Sequence, residues 1–452
     1  MQLGRVQHIL NKFSLGLITL VSLTLVACGG GGGGSSANNP PTPAEVAAIT
    51  PAQIATYSVD QFNAIGLNFK YLSDAALNAL TRYTSAARGV GQIQSITAAQ
   101  IVTLTPAQIR MIGAAGPNGT VITSQITYLN AATWAALAND PLQVAALTAA
   151  EITSFNGDKI IALDLNIKHL TDAALNALSF NTGGIHAIPQ IQSITPAQIV
   201  TLTPAQVRMI GAAGPFGTVV TSKIDYLNSA TWAALANDPV QVTALTAAEI
   251  TSLNGDKIIA LGLNIHLLTN PALNALSFNT GGTHSIPQIQ SITPQQIVTL
   301  TPAQVRMIGA AGPFGTIVTS KIDYLNSATW VALANDPVQV AALTASEITS
   351  LNGDKIIDLG LNIHWLTDLA LNSLSFNTGG THSIPQIQSI TPAQIAVLTP
   401  AQISVIAGTI GNKGISYLNT AAFAALSSAQ IAILTATQKS FFSAAQHTSC
   451  GC

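Results

Sequence analysis

Thr293-Pro-Gln-Gln-Ile-Val-Thr-Leu300, followed directly by Thr301-Pro-Ala-Gln-Val-Arg-Met-Ile308, carries the pattern that decides the fold. Each stretch is an octad with a capping residue first, Gln fourth, and apolar residues fifth and eighth. In a strand, residues three apart would point to opposite faces. On a helix they lie about 60° apart and share one face. The octad therefore predicts a helix.

The opening of the octad also predicts where each helix begins. Thr is a good N-cap, Pro is tolerated at the first helical position, and Gln three residues after the cap completes a capping box. One continuous helix is excluded, because each internal Pro would cost about 3 kcal/mol. Helices of about two turns are unstable alone, so we expect them to stack through their Ile and Leu residues. The predicted fold is an all-α solenoid, with a β-solenoid as the alternative because Thr, Ile and Val are abundant.

A longer period contains the octads. The stretch Ser193-Ile-Thr-Pro-Ala-Gln-Ile199 recurs 98 residues later at Ser291, with Gln295 in place of the alanine, again at Ser389, and in weaker form at Ser95. The first unit begins with a divergent segment and the last is shortened after Ile406, as expected for the caps of a solenoid. The predicted organisation is a signal peptide 1–27, a tether 28–49, units 50–147, 148–245, 246–343 and 344–434, and a C-terminal cap 435–452.

Glycine-bearing segments interrupt the octads. Gly211-Ala-Ala-Gly-Pro-Phe-Gly217 and Asn279-Thr-Gly-Gly282 are expected to be loops that recur on fixed edges of the solenoid. The stretch Thr218-Val-Val-Thr221 is rich in β-branched residues and predicts a short strand.

The N-terminus is predicted to be a targeting segment. Arg5 and Lys12 precede a mostly apolar run that is short for a membrane span. The run ends in Leu25-Val-Ala-Cys28, which resembles the lipobox of bacterial lipoproteins. The resemblance implies cleavage before Cys28, a diacylglycerol on its thiol, and transfer to the outer membrane because Gly29 replaces a retention aspartate. An ordinary secretory signal is the alternative. The Gly/Ser/Pro-rich segment that follows predicts a flexible tether.

The composition argues against a polyanionic partner. Only 8% of the 452 residues are charged, and the formal net charge is −2. Nucleic-acid binding is disfavoured, because the sequence has no cluster of Lys and Arg side chains to neutralise the phosphates of the backbone.

Histidine recurs at fixed places. His186, His284 and His382 follow a Gly-Gly loop, and His266 and His364 end the pattern Gly-Leu-Asn-Ile-His. A metal site would pair His266 with His284, but no carboxylate or thiol has ligand spacing beside them. We therefore predict no metal and no cofactor, and keep the three loop histidines as candidate ligand contacts.

Two cysteines remain once Cys28 is assigned to the anchor. Cys450 and Cys452 enclose one glycine near the end of the sequence. In an oxidising compartment they could bridge each other, bridge another chain or bind a soft metal. An exposed tail without a role is the remaining alternative.

No constellation typical of catalysis occurs. The loop Gly309-Ala-Ala-Gly-Pro-Phe-Gly-Thr316 lacks the Gly-Lys-Ser/Thr ending of a phosphate loop. No serine lies in a Gly-x-Ser-x-Gly elbow. Trp134, Trp232 and Trp330 occupy apolar octad positions and are predicted to be core residues, whereas Trp365 is a candidate for exposure. The sequence thus indicates a protein that is not an enzyme.

The octads resemble those of large bacterial surface and adhesin-like repeat proteins. This resemblance implies a non-enzymatic, surface-exposed protein with a structural, adhesive or protein-interaction role. Its partners would be the membrane, through the lipid anchor, and either copies of itself or other cell-surface macromolecules. The alternative is a binding module for a glycan or peptide that uses the Gly-Gly-x-His loops as a row of sites.

Overall fold

The fold is a stack of short helices. The computed structural model describes residues 40–82, 91–116, 120–180, 189–214, 218–278, 287–311, 318–376, 385–406 and 413–452. Contacts define one compact unit, Pro41–Cys452. The all-α solenoid is confirmed, and the β-solenoid alternative is not supported. Among the described residues, β pairing is confined to two isolated bridges, Ala115 with Val121 and Ala213 with Val219. The strand predicted over 218–221 is therefore reduced to one bridged residue.

The predicted capping boxes start the helices. In the helix Pro302–Val305, the Thr301 hydroxyl accepts a hydrogen bond from the Gln304 N–H at 3.3 Å. In return, Gln304 Oε1 accepts one from the Thr301 N–H at 3.0 Å. The described helices are three to eight residues long, so where a capping box is present it satisfies much of the helix's open N-terminus.

Three helices make one turn of the solenoid. The main contacts between helices that are not sequence neighbours join each helix to the one three places further along. For example, Ala149–Thr153 packs against Asp172–Asn176, which packs against Pro204–Met209. The solenoid therefore has three sides, and each side is a column of stacked helices.

The bounds of the described helices follow by side, with 3₁₀ helices marked. The first side comprises Pro43–Ala47, Gly66–Tyr71 (3₁₀), Ala98–Ile101, Ala131–Ala138, Gly157–Ala162, Ile191–Ser193 (3₁₀), Ile224–Tyr226 (3₁₀), Ala247–Ser252, Asn270–Asn274, Pro302–Val305, Pro337–Ala341, Gly360–Trp365 (3₁₀), Pro392–Val397, Thr420–Ala424 and Ala444–Cys450. The second side comprises Pro51–Ile54, Asp74–Asn78, Pro106–Met111, Pro141–Ala145, Asp164–His169 (3₁₀), Pro196–Ile199, Ser229–Ala236, Gly255–Ala260, Gln288–Ser291 (3₁₀), Ile322–Tyr324 (3₁₀), Ala345–Ser350, Asp368–Asn372, Pro400–Val405 and Ser428–Ile433. The third side comprises Val59–Ala64, Gln92–Ser95, Ile126–Tyr128 (3₁₀), Ala149–Thr153, Asp172–Asn176, Pro204–Met209, Pro239–Ala244, Gly262–Leu267 (3₁₀), Pro294–Ile297, Ser327–Ala334, Gly353–Asp358, Gln386–Ser389, Gly414–Tyr417 (3₁₀) and Ala436–Lys439.

One repeat unit of the sequence does not correspond to a whole number of turns of the solenoid. Each of the first three 98-residue units contributes ten described helices, which make three turns and one further helix. Equivalent helices therefore move by one side per unit: Ala149–Thr153 lies on the third side, Ala247–Ser252 on the first and Ala345–Ser350 on the second. The helices that flank equivalent loops therefore do not recur on fixed edges, contrary to expectation, because ten is not a multiple of three. The loop residues 215–217 and 279–282 themselves lie outside the described residues.

The two apolar octad positions form the core. Ile297 and Leu300 are 0% and 3% exposed, and the apolar residues of the next octad are buried in the same way. One cluster of buried side chains extends from Val46 to Phe442. No helix of this length would be stable in water without such burial.

The octad Gln also joins successive turns. Gln296 is 1% exposed, and its Oε1 accepts from the Thr293 N–H at 2.9 Å. Its Nε2 donates to the Ile258 carbonyl of the preceding turn at 2.8 Å. One buried amide thus satisfies a helix start and a carbonyl 38 residues earlier.

Candidate interaction surfaces

An aliphatic stripe follows the third side of the solenoid. It consists of one exposed residue on or directly after each of five consecutive helices of that side: Val240, Leu263, Val298, Val331 and Ile357. Val240 and Leu263 are 64% and 60% exposed. Single exposed aliphatics are common on proteins, but here one recurs on each of five successive turns of the same side, so together they form a larger apolar surface.

Related exposed residues lie on the other two sides. The second side carries Leu142, Leu165, Val200 and Ile259, and the first carries Val338, Leu361 and Trp365. These sets come from neighbouring repeat units, and each unit is displaced by one side. The described surface therefore presents exposed aliphatic residues in three directions.

A cluster of two aromatic rings and a lysine recurs beside the loops. The ring centres of Phe180 and Tyr226 are 5.0 Å apart, and Lys223 Nζ lies 5.4 Å from the Phe180 ring centre. The next unit repeats the arrangement with Phe278 and Tyr324, whose ring centres are 5.1 Å apart. Each cluster borders a Gly-Gly-x-His segment. The stretches Ser-Phe-Asn-Thr-Gly-Gly and Lys-Ile-Asp-Tyr both recur in the sequence, but nothing local to either one predicts that they meet.

The three candidate loop histidines, His186, His284 and His382, lie outside the described residues. The helices that flank their segments do not repeat on one edge. The first segment joins the third side to the first, the second joins the first to the second, and the last joins the second to the third. The helices around these loops are therefore not aligned as a single row.

Of the other two repeated histidines, His266 is exposed and His364 is half-buried, and each contacts the backbone three residues before it. The Nδ1 atoms of His266 and His364 lie 2.7 and 2.6 Å from the carbonyl oxygens of Leu263 and Leu361. The His364 ring also lies 4.6 Å from the ring of Trp365, which is 47% exposed. The pairing of His266 with His284 stays a sequence hypothesis, since His284 is outside the described residues.

The cysteines fall into two groups. Cys28 lies outside the described residues, so its lipidation stays a prediction. The sulfur atoms of Cys450 and Cys452 are bonded to each other at 2.10 Å. This bond joins the last residue of the helix Ala444–Cys450 to the residue after Gly451.

The three repeated tryptophans are core residues, as predicted. Trp134, Trp232 and Trp330 are 2%, 1% and 0% exposed. The indole N–H of Trp330 donates to the Lys355 carbonyl of the next turn at 3.1 Å. The indole therefore fills the core and satisfies a backbone acceptor.

A lysine lies over each of these tryptophans, buried for Lys257 and Lys355 and half-buried for Lys159, and the sequence did not reveal it. Lys355 is 8% exposed, with its Nζ 4.9 Å from the Trp330 ring centre and donating to the Leu325 carbonyl at 2.9 Å. Burial lowers the pKa of Lys355 to about 8, although nearby Asp323 and Asp358 oppose the shift. Burial likewise lowers the pKa of Lys159 to about 8.

These lysines predict a rise in stability at alkaline pH. Between about pH 8 and the ordinary lysine value of 10.5, the unfolded chain binds more protons than the folded chain. The free energy of unfolding should therefore increase through this range, on the order of 1 kcal/mol per lysine. Urea unfolding curves at pH 7.5 and 9.5 measure the change.

Two triple variants separate burial from charge. Replacing Lys159, Lys257 and Lys355 by Met should remove the alkaline rise. Replacing three exposed lysines, Lys70, Lys168 and Lys413, by Met removes the same charge and should retain it. A rise of equal size in both variants would contradict the assignment.

Comparison with known proteins adds no family. No family model matches the chain, and no curated protein matches it closely enough to count as similar. Among the described residues, no helix combines the length and apolar character needed to cross a membrane.

Proposed function

We infer that this chain is a surface-exposed, lipid-anchored bacterial protein with a structural or adhesive role, which acts through contact with further copies of itself rather than through catalysis. The observation that carries the proposal is the set of exposed aliphatic residues on all three sides of the solenoid. A surface that faces three directions suits lateral contact with several neighbours. A single flat binding face would suit one partner.

The weak charge of the chain supports the same role. With 8% charged residues and a formal net charge of −2, neighbouring copies repel each other little. Exposed aliphatic area then supplies a favourable free energy of association through burial from water. The stripe residues do not need to form a pocket for this purpose.

The proposal predicts concentration-dependent self-association. The chain without residues 1–28 should associate as its concentration rises, as measured by sedimentation velocity. Placing Lys at Val240, Leu263 and Val298 should weaken this association by about tenfold or more, because each substitution removes apolar contact and adds a charge to be desolvated.

A matched variant controls for added charge. Thr243, His266 and Gln295 are exposed on the same side, and replacing them by Lys adds charges at polar positions. This variant should associate more strongly than the stripe variant. A chain that stays monomeric at every concentration, or equal weakening by both variants, would oppose the proposal.

The second candidate function is ligand binding at the loops, and the recurrent aromatic clusters favour it. The ring of Tyr324 is 37% exposed beside Phe278 and Lys321, a combination suited to stacking and hydrogen bonding with a glycan or peptide. A monomeric chain that binds such a ligand, and loses it when His284 and His382 are replaced by Ala, would favour this candidate.

The proposed location rests on the lipobox. Lipidation of Cys28 would hold the solenoid at the cell envelope, and the glycine-rich tether would separate it from the bilayer. External protease added to intact cells should cleave the repeats if they face outward. Protection in intact cells together with cleavage after lysis would place the solenoid inside the envelope instead.

A further inference from the structure

The C-terminal helix gathers three metal-binding side chains that the proposed function does not use. One ligand atom from each of His447, Cys450 and Cys452 lies within 4.8 Å of the other two. The imidazole and one cysteine are half-buried, and Cys452 is exposed. The site is therefore reachable from solvent while part of it is held by the fold.

Local structure explains why these residues meet. His447 and Cys450 are three apart on the helix Ala444–Cys450, so they share a face. Gly451 has a φ of +64°, the left-handed conformation that favours glycine, and its N–H donates to the His447 carbonyl at 3.0 Å. This cap turns the chain back and places Cys452 beside the other two side chains.

The cluster is supported by the end of the solenoid. The helix Ala444–Cys450 packs against Thr420–Ala424. The His447 ring lies 5.7 Å from the ring of buried Phe442, and its Nδ1 lies 2.6 Å from the Cys452 carbonyl oxygen. The backbone contact limits the imidazole's rotation, as supporting contacts do in metal sites.

We propose that the reduced His447–Cys450–Cys452 cluster binds one soft or borderline metal ion, such as Zn²⁺ or Cu(I), and that the disulfide excludes it. Two thiolates and an imidazole are ligands that such ions prefer, and Zn²⁺ would take a fourth ligand from solvent. Bonded sulfurs cannot supply thiolates, so metal binding and the Cys450–Cys452 bond exclude each other.

The redox step is balanced by a dithiol reductant. Its two sulfurs give two electrons to the Cys450–Cys452 bond and become a disulfide, and the two cysteines take up two protons as thiols. Each thiol then releases its proton as its sulfur binds the metal. In the reverse step, a small-molecule disulfide takes two electrons from the two thiolates and, with two protons from water, becomes two thiols, the Cys450–Cys452 bond forms again, and the ion is released.

The test uses the full chain carrying Cys28→Ser, which leaves two thiols. The chain is reduced with dithiothreitol, desalted without oxygen and titrated with Co²⁺ as a spectroscopic probe. We expect a sulfur-to-cobalt absorption band that saturates at one ion per chain and disappears when Zn²⁺ is added. The oxidised chain should give no band.

Variants separate this site from adventitious binding. Cys450→Ser and Cys452→Ser should each remove or strongly reduce the band, and His447→Ala should weaken Co²⁺ binding by about tenfold or more. His364→Ala removes a histidine elsewhere on the solenoid and should leave binding unchanged. Circular dichroism checks that each variant is folded. No band in the reduced chain, or an equal band in the oxidised chain or the serine variants, would overturn the proposal.

Discussion

Replacing Trp330 by alanine is expected to lower the free energy of unfolding by about 4 kcal/mol, because a large, fully buried side chain is removed from a close-packed core. The change also leaves the Lys355 carbonyl without its indole donor, and Lys355 Nζ without the ring beneath it. Urea unfolding monitored by circular dichroism measures the loss. Since repeat proteins can unfold in parts, hydrogen exchange across the helix Ser327–Ala334 locates it.

Trp365 provides the matched control. It is the same residue type, but 47% of its surface is exposed. Trp365→Ala should change the free energy of unfolding by about 0.5 kcal/mol or less, as is usual for surface positions. Similar losses from the two substitutions would mean that the tryptophan at 330 does not hold the turns together.

The second large effect concerns the buried amides between turns. Gln296→Ala should lower the free energy of unfolding by about 2 kcal/mol, because it leaves the Thr293 N–H without its acceptor and removes one of the two donors to the Ile258 carbonyl, which keeps the Leu261 N–H. Water has little access to replace these bonds, since Gln296 is 1% exposed. The same unfolding measurement applies.

Gln304 occupies the same place in the following octad and serves as the comparison. It makes the same pair of bonds, to the Thr301 N–H and to the His266 carbonyl 38 residues earlier, but it is only half-buried. Gln304→Ala should therefore lower the free energy of unfolding by only about 1 kcal/mol, because water can reach the Thr301 N–H and the His266 carbonyl. If Gln296→Ala lowered the free energy of unfolding by no more than Gln304→Ala does, burial of the amide would not explain the stability of the stacked helices.

The sequence predicts the helices well because their signals are local. Thr301 and Gln304 form the predicted capping box, and Ile297 and Leu300 are buried as their spacing requires. Each of these features depends on residues within one octad. Trp330 lies at an apolar octad position and is buried, as that position predicts.

Features that depend on distant residues could not be predicted in this way. The octad defines where helices begin and end, but the angle between successive helices depends on packing between turns, so three helices per turn could not be derived. The second bond of Gln296 reaches a carbonyl 38 residues away for the same reason. Lys355 resembles a solvated charge in its local sequence, although it follows Trp330 by 25 residues, as Lys159 and Lys257 follow their own tryptophans.

The mismatch between ten helices and a three-helix turn gives repeat number a directional meaning. In a homologous chain that gained or lost one unit, the terminal turn would be rotated about the solenoid axis by one side, which is one-third of a revolution. Only a change of three units, 3 × 98 = 294 residues, would leave the terminal turn in its present orientation about that axis. Duplication of a unit would thus change the orientation of the terminal turn as well as the length of the solenoid.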